Sequence, residues 1–517
     1  MTSLVIIIIY LAMLLGLGMA SKFFFRGTSK DYFVASHSIG PFMLLMSVFG
    51  TTMTAFALVG STGKAFQRGI GTYGLMASSS GLIHALCFYF IGIRLWAIGK
   101  KYGYVTQIQF FRARFESNRL GYVLFPILVG LVVPYLLIGI LGAEKTMLGM
   151  TKGMFPNTFT SDPHWIGAVP PWLSGLVVCL VVLAYVFAGG SRSAAWANTF
   201  QTLVFMGMGV LAFVLISSKL GGLQAAIQQA NPEHLVRTPS TITIGSGESS
   251  FTRQVGVPPL MFLSYMFIPL SVGMFPHIFQ HWLTARDAKS FKLTVIMHPI
   301  CIMIVWVPCV LLGVWATGTA AGMPPLTDDK VGAVLSIMVA HLIHSPVIIG
   351  LVTAGILAAV MSSLDSQFLC LGSIFTNDIV LHRAKPGTYN DQQTIAIARS
   401  FVVAVVALTY GLSLIAPKNI FDLAIWSFSG FAALTPVVFA ALYWKRATKA
   451  GAYASIAAAS LTWLWFFHLS GYGGEYAVGG QVMPVALCFA AAALAMLVVS
   501  LLTKPPHPDT VRKFFPN

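Results

Sequence analysis

The chain has 517 residues, of which 57% are hydrophobic and only 9% are charged. So large an apolar fraction excludes an ordinary soluble protein. Lys and Arg outnumber Asp and Glu by 31 to 15, giving a net charge of +16, but the basic residues are scattered between long apolar runs. Nucleic acid is therefore not an expected partner.

Thirteen apolar stretches are long enough to cross a bilayer as helices, since one crossing needs about 20 residues. They are residues 4–22, 40–62, 72–98, 121–148, 171–188, 194–217, 257–284, 290–317, 346–380, 393–416, 419–444, 448–470 and 481–503. Their continuous apolar composition differs from the alternating pattern of a membrane barrel. The sequence predicts an all-α polytopic protein, surrounded by lipid, that forms a single membrane domain over residues 1–517.

The charges that flank these stretches predict their orientation. If the N-terminus lies outside and the C-terminus in the cytoplasm, most of the 31 basic residues flank the cytoplasmic ends of the helices. This distribution is the one that the positive-inside rule describes. We therefore expect a multi-pass protein of the cell membrane.

Two spans contain helix breakers near the middle. The second span reads S-V-F-G-T-T-M-T over residues 47–54, and the seventh reads P-L-S-V-G-M-F-P over residues 269–276. Broken membrane helices expose carbonyl groups to ions and helix ends to solutes. Two broken helices five spans apart are expected for inverted repeats of five helices each, although Pro and Gly are common in membrane helices generally.

A polar stripe occupies the ninth span, where Asp365 is the one acid predicted to lie deep in a helix. At 100° per residue, Ala359, Ser362, Ser363 and Ser366 lie on one face. Neutral oxygens with few carboxylates suit a weakly held monovalent ion better than a divalent one. The stripe predicts a sodium site, with close helix packing or hydrogen bonds to the preceding turn as the alternative roles for these serines.

Short motifs along nearly the whole chain resemble the sodium:solute symporter family, which includes sodium/proline, pantothenate, sugar and monocarboxylate symporters. The motifs are D-Y-F-V-A at 31–35, S-I-G-P at 38–41, G-G-S-R at 189–192, W-A-N-T-F-Q at 196–201, P-H-I at 276–278, M-S-S-L-D-S at 361–366 and the run from G-F to Y-W over 430–444. The resemblance implies a LeuT-like fold. It would have an extra helix at about 4–22, inverted repeats over 40–217 and 257–444, and two further helices over 448–503.

The resemblance also implies a set of sodium ligands. Carried over by position, these are the backbone carbonyls of Gly50, Met53 and Ala359 and the hydroxyls of Ser362 and Ser363. The set agrees with the stripe found from helical periodicity. Sodium is thus the expected coupling ion, and no organic cofactor is expected.

One departure from the family pattern concerns acidic residues. The usual aspartate of the W-T-D element is Asn198 here, whereas Asp365 occupies a position that is often Ser or Thr. We hypothesise that the carboxylate has moved from the sixth span, which carries Asn198, to the facing ninth span, which carries Asp365. Asp365, Ser366 and Asn198 would then form a second cation site or a proton site. A hydrogen-bonded buried acid is the alternative.

A second departure concerns the solute. Thr52 stands where proline symporters have an aspartate, and Ala57 and Met76 replace the polar residues of sugar symporters. A small monocarboxylate or amino-acid-like solute is favoured over a sugar. The predicted solute wall comprises Thr51, Thr54, Phe56, Ser79, His84, Phe275 and Trp426. His84 could meet a carboxylate, although a lone histidine in a membrane helix is more often a hydrogen-bonded core residue.

These features together predict a secondary active transporter that works by sodium-coupled symport and alternating access. An enzyme is disfavoured because we find no paired acid and base within one span, and His298, His341 and His344 are expected near helix ends. Two alternatives remain open, a proton-coupled symporter of the same fold that uses Asp365 and a transporter-like solute sensor. The pattern predicts neither the solute's identity nor the oligomeric state.

Overall fold

The computed structural model is mostly helical and describes residues 1–159, 167–244, 250–324, 326–327, 330–415 and 419–515. The helices before residue 245 are α1 Thr2–Ala20, α2 Ser29–Val34, α3 Pro41–Thr52, α4 Ser61–Arg68, α5 Ser79–Leu86, α6 Ile93–Tyr102, α7 Gln107–Arg114, α8 Asn118–Met150, α9 Pro171–Lys219 and α10 Leu223–Gln229. Strands β1 Ser240–Ile244 and β2 Phe251–Val255 pair antiparallel, with Ser240 opposite Val255.

The remaining helices follow the strand pair. They are α11 Pro259–Tyr265, α12 Pro276–Thr284, α13 Ser290–Trp315, α14 Val334–Leu342, α15 Pro346–Ile374, α16 Leu381–Arg383, α17 Asp391–Ser413, α18 Ile420–Ala433, α19 Thr435–Tyr443, α20 Lys449–Leu469, α21 Pro484–Leu502 and α22 Pro508–Phe514. Short π-helical turns at Phe56–Gly60, Gly74–Ser78, Cys87–Gly92 and Phe375–Val380 join several of them.

The described residues contain ten helices that are long and apolar enough to cross a membrane, and two bent pairs that also qualify. One of the ten, α9, has 49 residues, which is about twice the length of one crossing. Its path breaks at Gly190, where φ is 56° and ψ is −135°. A Cβ at this position would collide with the carbonyl oxygen of Tyr32, so the break requires glycine. Each of the thirteen predicted stretches overlaps one or more of these helical segments, and thirteen as the number of crossings remains a prediction.

Both predicted helix interruptions are confirmed. The pair Pro41–Thr52 and Phe56–Arg68 is bent by 55°, and the pair Pro259–Gly273 and Pro276–Thr284 is bent by 49°. At the first break Met53 is extended, with φ of −93° and ψ of 91°. The two bent pairs begin the ranges 40–217 and 257–444, whose boundaries as repeats remain a prediction.

Helix α15 is the centre of the bundle. It packs against α1, α3, α8, α9 and α17, and its residues from Val352 to Ile374 are all buried. Its polar side chains therefore face neighbouring helices. Asp365 is buried, and so are three other acids, each of which also has a side-chain partner. The partnered pairs are Asp31 with Arg192, Asp378 with Arg112, and Glu144 with Ser413.

Candidate ion and solute site

The predicted sodium ligands on α3 and α15 meet at the first helix break. The Ser362 hydroxyl donates to the carbonyl oxygen of Gly50 at 2.8 Å and lies 3.0 Å from that of Ala359. The Gly50 carbonyl belongs to the last turn of α3, where helix carbonyls lack an intrahelical donor. A Cβ at Gly50 would collide with Oγ1 of Thr202. Glycine thus lets α3 pack closely against Thr202 of α9 at the level of this contact.

Met53 and Ser363 are the other two predicted ligands, and they differ in their hydrogen bonding. The Ala57 N–H donates to the carbonyl of Thr54 at 2.9 Å, so the Met53 carbonyl is outside the hydrogen-bond ladder at the break. The Ser363 hydroxyl donates to the Val360 carbonyl of its own helix at 2.9 Å. Ser363 would have to turn its hydroxyl toward α3 in order to contact an ion held there.

Asp365 is the centre of a second polar cluster, on an adjacent face of α15. Its Oδ2 accepts from the Tyr185 hydroxyl at 2.9 Å, and its Oδ1 accepts from the Ser366 hydroxyl at 2.9 Å. The Ser366 oxygen also contacts Nδ2 of Asn198 at 3.0 Å and Nε2 of His281 at 2.8 Å. The predicted trio of Asp365, Ser366 and Asn198 is therefore together, with Ser366 as the link between the other two.

Sequence reasoning missed three members of this cluster. Tyr185 and His281 contact it directly, and the Gln201 amide donates to the Tyr185 hydroxyl at 3.4 Å. Two signals in the motifs could have found part of the set. Gln201 follows Asn198 by three positions and His281 follows His277 by four, so each pair shares a helix face.

Aromatic residues from the two helix breaks also meet. The Phe428 ring lies 5.3 Å from that of Phe56 and 5.4 Å from that of Phe275. Tyr135 joins them, with its ring 4.9 Å from Phe428 and 5.3 Å from Phe275, and its hydroxyl donates to the Thr51 carbonyl at 3.4 Å. The structure thus brings Phe56, Phe275 and Thr51 of the predicted wall together around Tyr135.

His84 lies against His298, a histidine that the sequence predicts near a helix end. The rings of His84 and His298 are 5.3 Å apart, and Nε2 of His298 lies 3.3 Å from Oγ1 of Thr52. His298 is fully buried in α13, eight residues after its first residue, so the expectation that it lies near a helix end is wrong. No hydrophobic pattern distinguishes such a histidine, because its neighbours come from other helices.

Two other predicted wall residues make local hydrogen bonds. The Ser79 hydroxyl donates to the Leu75 carbonyl at 2.7 Å, and Oγ1 of Thr54 accepts from the Phe56 N–H at 3.0 Å. The second bond ties Thr54 to the start of the helical segment that follows the break. Thr54 therefore shapes the break, whereas Ser79 bonds back to its own helix.

Trp426 lies at a separate cavity toward the predicted outer side. Its Nε1 donates to the Gly474 carbonyl at 2.9 Å, and the cavity is also lined by Lys64 and Glu475. Glu475 forms ion pairs with Lys64 at 2.9 Å and Arg68 at 2.8 Å. Burial alone would raise the pKa of Glu475, but the two cations outweigh it and lower that pKa to about 2.

Relatives with assigned names match the chain over nearly its full length. A sodium/proline symporter of Haemophilus influenzae is 25% identical, over 99% of this chain and 97% of the relative. The osmoregulated proline transporter OpuE of Bacillus subtilis is also 25% identical, over 94% and 92%. The relatives are transporters.

Solved structures show the same fold. A Na⁺-coupled sialic acid symporter in a substrate-bound outward-open state has a TM-score of 0.72 and 18% identity, with 98% of each chain covered. Mhp1, a nucleobase-cation-symport-1 family transporter in a closed conformation, has a TM-score of 0.53 and 14% identity, with 93% of this chain and 97% of Mhp1 covered. The expected LeuT-like helical membrane fold is confirmed.

The family assignment depends on a match along most of the sequence. The model of the sodium:solute symporter family matches residues 32–157 and 166–458. This range includes both helix breaks, the polar stripe of α15 and the P-H-I motif. The chain belongs to the sodium:solute symporter family.

Proposed function

We propose that this protein carries a small organic solute into the cell together with sodium, by alternating access. The observation that carries the proposal is the buried Ser362 hydroxyl between the carbonyls of Gly50 and Ala359. Three neutral oxygens from two helices converge where α3 is interrupted. Sodium-coupled transport is the function of the family, and this is the place where the chain offers oxygens of the type that sodium prefers.

The contact suggests how sodium binding would act on conformation. The Ser362 hydroxyl uses its hydrogen on a carbonyl and keeps lone pairs that could face a cation. A cation at this place would hold Gly50 on α3 to Ala359 and Ser362 on α15. Because an ion stabilises only the state that binds it better, sodium would favour the conformation in which these two helices are together.

The energy for uptake would come from the sodium gradient. One sodium ion moving inward gains about 2.3 kcal/mol per 100 mV of membrane potential, before its concentration gradient is added. We place the N-terminus outside and the C-terminus in the cytoplasm of the cell membrane, in line with the flanking charges.

The solute is proposed to be a monocarboxylate or an amino-acid-like molecule. The relatives named above are proline transporters, which supports a small solute of this size. The cluster of Phe56, Tyr135, Phe275 and Phe428 at the two breaks offers an apolar, aromatic wall. Such a wall suits a small apolar body with one polar end better than a polyhydroxylated sugar.

The test is uptake by the purified full chain in proteoliposomes. A library of radiolabelled monocarboxylates, amino acids and sugars would be supplied with an inward sodium gradient, or with potassium in its place at equal ionic strength. We expect accumulation of a small acid or amino acid only with sodium. Equal accumulation in potassium, or accumulation that follows an imposed proton gradient alone, would contradict sodium coupling.

A further inference from the structure

The first helix break lies beside two buried imidazole rings that the proposed sodium site does not use. His298 on α13 contacts Thr52 through Nε2 at 3.3 Å, and its ring lies 5.3 Å from that of His84 on α5. Phe88 and Phe49 surround His298, with ring centroids at 4.8 Å and 5.4 Å. His298 is fully buried and His84 is 7% exposed.

The hydrogen bonds at Thr52 determine which nitrogen of His298 carries a proton. The single hydroxyl hydrogen of Thr52 is directed at the Phe49 carbonyl, 2.9 Å away. Oγ1 can therefore only accept from His298, so Nε2 bears the hydrogen and Nδ1 of the neutral ring is a bare acceptor. Within the described part of the chain, Nδ1 of His298 and Nδ1 of His84 are both buried without a partner. A buried nitrogen without a partner is uncommon in folded proteins, and it leaves a polar atom able to bind a ligand.

The surroundings favour an acid group as that ligand. The hydrogen-bond and ring contacts of His298 within the described residues are with Phe49, Thr52, Phe88 and His84. None is an acid that could pair with an ammonium group. Thr52 is two residues from Gly50, where the proposed sodium ion would add positive charge. A carboxyl group is therefore better matched to this place than an amine.

We propose that His298, supported by His84, binds the carboxyl group of the transported solute, and that this group is bound together with one proton. This inference rests on the proposed function. The proton comes from the outer solution and is shared between Nδ1 of His298 and a carboxyl oxygen, while Nε2–H remains bonded to Thr52. No covalent bond forms or breaks apart from the transfer of this proton, which leaves with the solute on the cytoplasmic side. The aromatic cluster at Phe56 and Phe275 would face the rest of a short apolar acid.

The consequence is a defined pH dependence of solute binding. If the complex holds one proton more than the separate partners, affinity must rise as the pH falls. Above the pKa of the free groups, linkage predicts about a tenfold gain for each pH unit. A solute held by its amine, or by neutral hydrogen bonds alone, would show no such slope.

The test uses the full chain in lipid nanodiscs with saturating sodium. Affinities of acetate, propionate, lactate, propionamide and proline are measured by calorimetry at pH 6, 7 and 8, in two buffers of different ionisation enthalpy, so that proton uptake is counted directly. We expect at least one short monocarboxylate to bind with about one proton taken up and with the steep slope. We expect propionamide to bind at least tenfold more weakly.

The His298→Gln variant keeps a side chain that can bond to Thr52 but cannot titrate in this range. We expect it to lose the slope and at least tenfold of the affinity at pH 6, with His84→Gln showing a smaller loss of affinity. His234→Gln is the matched control, since His234 is a buried histidine of the loop before β1 with both ring nitrogens unpartnered among the described residues. It should behave as the unmodified protein does.

Binding of radioactive sodium without solute separates this inference from the proposed function. Sodium binding retained in His298→Gln, with the slope abolished, supports the carboxyl site and shows that the variant is folded. A pH-independent affinity in the unmodified chain, or a preference for propionamide over propionate, overturns the carboxyl site and leaves sodium symport standing. Absence of sodium binding in the unmodified chain overturns the proposed function and this inference with it.

Discussion

Two neighbouring faces of α15 hold oxygens in contrasting ways. Ser362 contacts backbone carbonyls, one across the helix break on α3 and one on its own helix. Asp365, three residues later, is bonded by side-chain hydroxyls, one from Tyr185 on α9 and one from Ser366. Both residues are fully buried. The first face thus links α15 to the break of α3, and the second links it to the part of α9 that precedes the break at Gly190.

Because of this difference, we expect the Ser362 contact to exchange for contacts with a cation, and the hydrogen bonds of Asp365 to stay in place. A neutral hydroxyl and two carbonyls can turn toward a cation at the loss of one ordinary hydrogen bond, whose net worth is about 0.5–1.5 kcal/mol. The Asp365 carboxyl accepts hydrogen bonds from two side chains, Tyr185 and Ser366. Ser366 in turn contacts Asn198 and His281. We therefore expect the coupling of solute uptake to sodium to depend mainly on the Ser362 face. We expect the Asp365 face to change the sodium concentration that half-maximal uptake requires.

The largest effect is expected from Ser362→Ala, which removes the hydroxyl that links the two carbonyls. The loss of one ligand and of its hydrogen bonds should weaken sodium binding by roughly tenfold or more, about 1.5–3 kcal/mol. Ser362→Ala combined with Ser363→Ala should abolish sodium-stimulated uptake. Equilibrium binding of radioactive sodium and uptake in proteoliposomes measure both effects.

Thr353→Val provides the control for that change. Thr353 lies on the same helix, is buried, and bonds back to the Ile349 carbonyl at 2.7 Å. Its replacement removes a buried hydroxyl of α15 away from the break and should leave sodium dependence unchanged. Normal coupling in the Ser362 and Ser363 double variant would refute the assignment of the site.

How much of this could be predicted depends on whether a pattern or a motif connects the residues. The thirteen stretches, the two breaks and the polar face of α15 follow from apolar runs, breakers and helical periodicity, whereas the meeting of Ser362 with Gly50 is implied only by the family resemblance. Tyr185 and His298 could not be found in this way, because they lie 180 and 246 residues from their partners Asp365 and Thr52. Periodicity indicates which face of a helix is polar, but not which residue of another helix meets it.

A smaller effect is expected from Asp365→Asn, which keeps hydrogen-bonding capacity and removes the charge. If the Asp365 face holds a second cation, the Hill coefficient for sodium should fall toward one, and half-maximal uptake should require several-fold more sodium. If it holds a proton, the pH dependence of uptake should change instead. Unchanged sodium and pH dependence would show that Asp365 is only a hydrogen-bonded buried acid.

The double variant Asp365→Ser with Asn198→Asp sharpens this test. It moves the carboxylate back to the wall that the family commonly uses, while Ser366 remains between the two positions. We expect it to recover sodium dependence that Asp365→Ser alone loses. Failure to recover, in a variant that still binds sodium at the Ser362 face, would mean that the two walls are not equivalent.

Tyr185→Phe should have a still smaller effect, because Ser366 remains as a donor to Asp365. Removal of one hydrogen bond to a carboxyl group costs about 1.5–3 kcal/mol at most. We expect a lower melting temperature and a change of a few-fold in the sodium concentration for half-maximal uptake. Tyr410→Phe, which removes a hydroxyl that donates to the Trp172 carbonyl on the bundle periphery, should leave sodium dependence unaltered.

The smallest effect is expected at the ion pairs of Glu475, which lie outside both faces of α15. Glu475 is 38% exposed at its side chain, whereas Lys64 and Arg68 are 6% and 13% exposed, so water screens the pairs mainly on the carboxylate side. Because the pKa of Glu475 is lowered to about 2, the contribution of the pairs is complete above its ordinary pKa and is lost only as the pH falls toward 2. Glu475→Gln should therefore lower the melting temperature by the same amount at pH 6 and pH 8, and leave sodium binding intact. A large loss of sodium binding in this variant would instead mean that the ion pairs of Glu475, on the predicted outer side, affect sodium binding at the Ser362 face. The two faces of α15 could then not be compared without including these ion pairs.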